Sequence, residues 1–175
     1  MEQVLEVPFT PPPGFPPKLG TARVVQDGVA LVFTTYDYAV GAYDASAWFD
    51  SDEGQSRFTL TGYPDENPDA EDALLRLTAH LPQGRIAGSA GKDVLVEVWL
   101  DNGRKGAKLT SVGHPAALVI DSFTPDTAET SGYGQSSGHF SAVLCPGTGD
   151  PAVVAPGNAC RAVSGRFDTG VQYQP

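Results

Sequence analysis

The stretch TARVVQDGVALVFTT, residues 21–35, indicates the fold class of this chain. Two apolar runs flank Asp27-Gly28, and an Asp-Gly pair between such runs is typical of a tight turn joining two antiparallel strands. LLRLTAHL (residues 74–81) and DVLVEVWLD (residues 93–101) both alternate apolar and polar side chains. A period of two places the apolar side chains on one face of a strand, so these segments predict half-buried β-strands.

Short segments of the same kind recur along the chain and are separated by turn residues. Glycine and proline are abundant, with 20 and 15 residues respectively, which fits many turns. No stretch shows the 3.6-residue period of an amphipathic helix. The sequence therefore predicts an all-β protein of nine or ten strands, folded as an antiparallel β-sandwich or alternatively as a flattened barrel.

The length of 175 residues fits one domain. We predict a Pro-rich extended arm over residues 1–20 and a single β-sandwich domain over residues 21–175. Proline fixes φ and donates no backbone hydrogen bond, so the arm is expected to lie outside the sheet. It is interpreted either as a spacer or as an arm that binds a neighbouring subunit. In the second case the docking side chains would be Val4, Leu5, Val7, Phe9 and Phe15.

The charge balance restricts the class of partner. Acidic residues number 21 against 11 Lys and Arg, which gives a formal net charge of −10. Nucleic acid and anionic membrane surfaces are poor partners for such a chain, because both require a basic surface. No apolar run approaches the roughly 20 residues that span a bilayer, so no membrane span is expected. The first residues also lack the pattern of an export signal. The chain is then either a mature exported form or a cytoplasmically made protein that joins an assembly.

Cys145 and Cys160 are the only cysteines, and they stand at the two ends of one loop rich in glycine and proline. If the flanking strands pair in antiparallel fashion, the two residues approach the distance of a disulfide. A disulfide would indicate an oxidising location, namely the periplasm, the cell surface or the medium. Two unrelated buried thiols are the alternative. A zinc site with His114 and His139 is less favoured, because no short C-x-x-C or H-x-x-x-H pairing exists.

A calcium loop is a further interpretation of one acidic segment. Its oxygen ligands would be Asp65, Asn67, Asp69 and Glu71, whose every-second-residue spacing lets a looping chain surround a hard cation. An EF-hand is excluded, since Ala70 occupies the position that requires glycine. A solvated acidic turn is the alternative, and no cofactor is expected apart from this candidate Ca²⁺ site.

Two further patterns in the sequence are associated with catalysis or ligand binding. GQSSG (residues 134–138) matches G-x-S-x-G with Ser136 at its centre, but a nucleophile elbow needs a following helix and here a strand follows. We therefore expect no enzyme. Aromatic side chains could form a sugar-binding face or could belong to the core and to cross-strand pairs. They are Tyr36, Tyr38, Tyr43, Trp48, Tyr63 and Trp99.

The two final strand segments, SSGHFSAVLC (residues 136–145) and AVSGRFDTGV (residues 162–171), each contain a Gly-x-Phe motif. In this they resemble a family of small bacterial cell-envelope lipoproteins of unknown function. That resemblance implies a β-sandwich over about residues 21–170, whose last two strands carry such motifs around a variable loop. It implies no catalytic residue, and the chain lacks the lipobox cysteine, so lipidation is not implied.

Together these observations predict a non-catalytic extracytoplasmic protein with a structural or binding role. It would be a component of a cell-envelope or surface assembly, with a protein partner or its own copies as the contact. A virion structural subunit, such as a capsid decoration or tail protein, is the first alternative, because the acidic charge and the Pro-rich arm suit it. A carbohydrate-binding module is the second.

Overall fold

The computed structural model describes residues 16–38, 45–52, 55–64, 75–82, 87–99, 108–126, 132–147 and 160–173. Within these ranges the regular structure consists of strands, so the predicted all-β fold is confirmed. The described residues include no helix long and apolar enough to cross a bilayer. The predicted arm-docking residues and the predicted calcium ligands lie outside the described ranges. These are Val4, Leu5, Val7, Phe9, Phe15, Asp65, Asn67, Asp69 and Glu71.

The number of described strands agrees with the nine or ten predicted. In chain order they are β1 (Lys18–Gln26), β2 (Val29–Tyr36), β3 (Ala47–Asp52), β4 (Gln55–Pro64), β5 (Leu75–Leu81), β6 (Lys92–Trp99), β7 (Lys108–Thr110), β8 (Ala116–Pro125), β9 (Tyr133–Pro146) and β10 (Arg161–Tyr173). The first strand begins at Lys18, within the last residues of the predicted arm.

The ten strands form one hydrogen-bonded sheet in the order β2-β1-β10-β3-β4-β5-β6-β7-β9-β8. Because β9 also pairs with β10, the path from β10 through β3 to β7 and β9 returns to β10, and the sheet closes on itself. The pairing of β10 with β3 is parallel, whereas the other strand pairs are antiparallel. The described strands thus belong to one closed sheet and not to two separate sheets.

Side chains from strands that are not hydrogen-bonded to each other meet in one hydrophobic core. The rings of Phe58 on β4 and Phe167 on β10 stack with centroids 5.2 Å apart, although these strands are not hydrogen-bonded neighbours. Phe49 on β3 meets Phe123 on β8 edge-on at 5.6 Å. These ring contacts join strands that do not pair with each other, so the aromatic side chains fill the shared core.

The two patterns from which the fold was predicted appear as expected. Asp27 and Gly28 have φ of 49° and 77°, the positive values that a tight turn between β1 and β2 requires. On β5 the side chains of Leu75, Leu77, Ala79 and Leu81 are buried, while the intervening residues are exposed or half-buried. The alternation in sequence therefore corresponds to the inner and outer faces of the sheet.

The two Gly-x-Phe motifs pair with each other across β9 and β10. The register places Gly138 opposite Phe167 and Phe140 opposite Gly165, so each aromatic ring lies against the glycine of the other strand. A Cβ atom at Gly138 would lie 2.5 Å from Cζ of Phe167, and both phenylalanines are buried. The absence of a side chain on each glycine thus makes room for the ring opposite it, and the double contact fixes the register of the two strands.

We predict that Gly138→Ala destabilises the protein by about 1–3 kcal/mol, the usual cost of overpacking a core. The new methyl group would lie 2.5 Å from Cζ of Phe167 and 2.5 Å from the carbonyl oxygen of Val119, and the backbone oxygen cannot move aside easily. The entropic advantage of alanine over glycine in the unfolded chain, about 0.4–1 kcal/mol, offsets only part of this cost.

Urea denaturation followed by circular dichroism measures the effect. Ser141→Ala is the control, because Ser141 is exposed on the same strand and its replacement should change the free energy of unfolding by less than about 0.5 kcal/mol. Equal stability of Gly138→Ala and the wild-type protein would show that the ring does not occupy the space above this glycine.

Candidate functional site

Cys145 and Cys160 form a disulfide between the end of β9 and the residue before β10. Leu144 pairs with Arg161 in the β9–β10 ladder, so the two cysteines occupy the next paired position, with Cα atoms 4.1 Å apart. Thr110 of β7 pairs with Cys145 on its other side. The crosslink therefore lies where β7, β9 and β10 meet and the sheet closes.

His114 lies beside this disulfide, on the turn between β7 and β8. Its backbone N–H donates to the carbonyl oxygen of Ser111 at 2.9 Å, and a ring nitrogen of His114 lies within 4.8 Å of both cysteine sulfurs. The structure thus brings together three members of the less favoured zinc set, namely Cys145, Cys160 and His114. The fourth, His139, is placed elsewhere, where its Nδ1 atom donates to Oδ2 of Asp121 at 2.9 Å.

A row of basic side chains crosses the solvent-facing side of β1, β10 and β9. Arg23 pairs with Arg166, and Arg166 pairs with His139, so the three residues follow one another across neighbouring strands. We call these three residues the basic row. Sequence analysis missed it, because Arg23 and Arg166 are far apart in the chain and each occupies an ordinary exposed strand position.

The two arginines of the basic row have no acidic partner in the described part of the chain. The ion pairs found there use other basic residues, namely Arg57, His80, Lys108, His139 and Arg161. Asp168 lies on the same side of β10 but forms no ion pair with either arginine within the described residues. Like charges directly opposite each other on adjacent strands are unfavourable, so this arrangement costs stability unless an anion lies between them.

A shallow open depression of about 400 Å³ lies next to the basic row. The small residues Ser141, Ser164 and Gly165 line it together with the basic row, Val25 and Phe140. A second depression of about 290 Å³ continues from Ser141 along Ala117 and Ala162. This side of the protein is therefore a broad surface of small side chains with basic groups along one part of it, and we call it the outer face.

Ser136 is not placed as a nucleophile. It is buried on β9, and its hydroxyl donates to the carbonyl oxygen of Ser122 at 2.9 Å. Strand alternation puts Ser136 on the opposite side of β9 from His139. A strand continues through and beyond the serine, so the G-x-S-x-G match does not correspond to a nucleophile elbow.

The aromatic residues considered for sugar binding are divided between separate places. Tyr36, Tyr38 and Tyr63 pack on one another with centroids 5.9–6.3 Å apart at interplanar angles of 51–76°, which does not make a flat platform. Trp99 is covered by the cationic groups of Arg76 and Lys108, at 5.8 and 5.4 Å from the ring. Trp48 is half-buried on β3, and Tyr43 lies outside the described residues.

The chain matches no protein-family model, no curated protein and no solved structure in the comparisons made with each. The function must therefore be inferred from the geometry of the outer face and of the disulfide region.

We predict that replacing both cysteines, in Cys145→Ser/Cys160→Ser, lowers the free energy of unfolding by about 3 kcal/mol. The cysteines are separated by 15 residues, and opening a loop of this size restores unfolded-state entropy of that order in the chain-entropy model. Urea denaturation in the presence of a chelator measures the difference.

A reductant should destabilise the wild-type protein to a similar extent and should leave the double serine variant unchanged. Titration of the denatured, unreduced wild-type protein should find no thiol. Two free thiols in that titration would contradict the disulfide.

Proposed function

We propose that this protein is a non-catalytic binding or structural component that acts outside the cytoplasm, in a cell-envelope or surface assembly. In this proposal the outer face contacts a protein partner that presents carboxylate groups. The observation that carries the proposal is the pairing of Arg23 with Arg166 on adjacent strands, without an acidic partner in the described part of the chain.

The charge of the whole chain makes this pairing informative. Acidic residues outnumber Lys and Arg by 21 to 11, yet neither arginine of the basic row has a carboxylate partner within the described residues. Two adjacent guanidinium groups repel each other, but each presents a planar fork of donors that matches a carboxylate. A carboxylate placed between them would replace the repulsion with charge-assisted hydrogen bonds, which are stronger than those between neutral groups.

The shape of the outer face supports contact with another macromolecule. Serine, alanine and glycine residues form part of the lining of the two depressions, beside the basic row and several valines, so a partner backbone can approach closely at the small residues. Closure of the sheet and the disulfide hold these strands together. A rigid surface loses little conformational freedom on binding, which favours a stable complex.

The disulfide supports a location outside the cytoplasm, because such bonds persist in oxidising compartments and are rare in the cytosol. The arrangement around His139 supports a role without catalysis. Its imidazole and the carboxylate of Asp121 are 50% and 43% exposed, and no described serine hydroxyl forms a hydrogen bond with that imidazole. Water reaches both groups, so they lack the enclosed environment in which a polarised dyad would act.

We predict that Arg23→Ala/Arg166→Ala binds immobilised poly-L-glutamate about tenfold more weakly than the wild-type protein. The loss follows from the charge-assisted hydrogen bonds that two guanidinium groups give to carboxylates, and about 1.4 kcal/mol corresponds to a factor of ten. Surface plasmon resonance at low and at physiological ionic strength provides the measurement, and the difference should shrink as salt increases.

The matched control is Lys92→Ala/Arg161→Ala, which removes the same charge away from the basic row. Both residues are exposed, and Arg161 already lies 3.7 Å from Asp27. Equal weakening by both double variants would mean that net charge, not the basic row, governs binding, and the proposed surface would be wrong. Binding to a neutral glucan that is unaffected by either variant would instead favour the carbohydrate-binding interpretation.

A further inference from the structure

We propose that reduction of the disulfide converts Cys145 and Cys160, together with His114, into a Zn²⁺ site. The proposal concerns a different part of the molecule from the basic row and does not depend on it. In the oxidised protein the two sulfurs form a covalent crosslink, and in the reduced protein the same sulfurs would be metal ligands.

The ligand atoms are already close to the required geometry. One nitrogen of His114 and the two sulfurs all lie within 4.8 Å of one another. Around a tetrahedral zinc ion with bonds of about 2.0–2.3 Å, neighbouring ligand atoms are roughly 3.5–3.8 Å apart. Side-chain rotation alone can therefore bring the three atoms to one ion. Three protein ligands leave the fourth position to water, as in open zinc sites.

The fold holds the three ligands from separate segments. Cys145 lies in β9 and Cys160 directly before β10, and the ladder that positions them continues along both strands. The turn that carries His114 is attached to β9 by the hydrogen bond from Val143 N–H to the carbonyl oxygen of Pro115, at 2.9 Å. Because these backbone contacts do not involve the sulfurs, we expect the ligands to stay together after reduction.

Burial and charge also suit a metal ion. Cys145 is 1% exposed, whereas His114 and Cys160 are half-buried, so the ion can enter from one side. Two thiolates balance the two charges of Zn²⁺, and a neutral imidazole adds none. The loaded site is therefore neutral overall, which avoids the large cost of placing an unbalanced charge in a partly buried position.

The chemistry requires a two-electron reductant, which we take to be a dithiol. The dithiol transfers two electrons and two protons to the disulfide. The bond between the sulfurs of Cys145 and Cys160 breaks, two thiols form, and the dithiol becomes a cyclic disulfide. Binding of Zn²⁺ then releases the two thiol protons to solvent, because thiolates are the ligands. In the reverse direction a small-molecule disulfide accepts two electrons from the two thiolates and becomes a dithiol, the metal is released, and the bond between Cys145 and Cys160 forms again.

Cobalt(II) provides the experimental probe, since tetrahedral Co²⁺ with thiolate ligands absorbs in the visible and near-ultraviolet range and Zn²⁺ does not. The full chain is reduced with a phosphine, which supplies the same two electrons without binding the metal as a dithiol would. The phosphine is removed without oxygen, and the protein is titrated with Co²⁺ and then with Zn²⁺. We expect one equivalent of Co²⁺ to give thiolate charge-transfer and tetrahedral bands, and Zn²⁺ to abolish them. The oxidised protein should give neither.

His114→Ala should bind Zn²⁺ at least tenfold more weakly, as measured by competition with a chromophoric chelator. His139→Ala is the matched control, because His139 lies on the outer face, away from the sulfurs. The affinity of this variant for Zn²⁺ should equal that of the wild-type protein. His114→Gln is a second variant that retains a side chain of similar length, and it should also weaken binding. Circular dichroism of each reduced variant shows whether it is folded.

The proposal would be overturned if the reduced wild-type protein gave no thiolate–Co²⁺ band, whether because it had unfolded or because the ligands had separated. It would also be overturned if His114→Ala and His114→Gln, both folded, bound Zn²⁺ as tightly as His139→Ala. Neither result would affect the proposed binding role of the outer face, which is measured on the oxidised protein with different variants.

Discussion

The reciprocal contact between two phenylalanines and two glycines on β9 and β10 determines where the basic row and the disulfide lie. Phe140 covers Gly165 and Phe167 covers Gly138, and only one register of the two strands allows both contacts. That register places Arg166 between Arg23 and His139, and it brings Cys145 opposite Cys160. A shift by one residue would turn every side chain of β10 to the other side of the sheet, so the basic row and the disulfide would both be lost.

Local patterns in the sequence were sufficient to predict the strands and the first turn. Asp27-Gly28 forms the tight turn expected of it, and the alternation over residues 75–81 matches the buried and exposed faces of β5. Closure of the sheet could not be predicted, because it depends on pairings such as β7 with β9 and β10 with β3, whose register no local signal specifies. The parallel pairing joins residues that are more than a hundred positions apart in the chain.

The candidate sites show a similar division between local and long-range information. A disulfide was predictable because the two cysteines end one loop, and the strands beside that loop pair as expected. The basic row could not be predicted, because an arginine at an exposed strand position is ordinary until its neighbour across the sheet is known. The same limit applies to the less favoured zinc set, of whose two histidines only His114 lies near the sulfurs. His139 is nearer to Cys145 in the sequence, but it is His114, on the turn before β8, that lies beside the sulfurs.

The position of β10 in the sheet has a consequence for how the chain folds. This strand pairs with β1, β9 and β3, and all three precede it in the chain. Until β10 docks, these strands have an unpaired edge toward the place that β10 will take. Long-range β pairing of this kind is slow, and open edges are prone to intermolecular association. Folding therefore depends on the docking of one segment, and the partly folded form that precedes this docking is the one most exposed to misassembly.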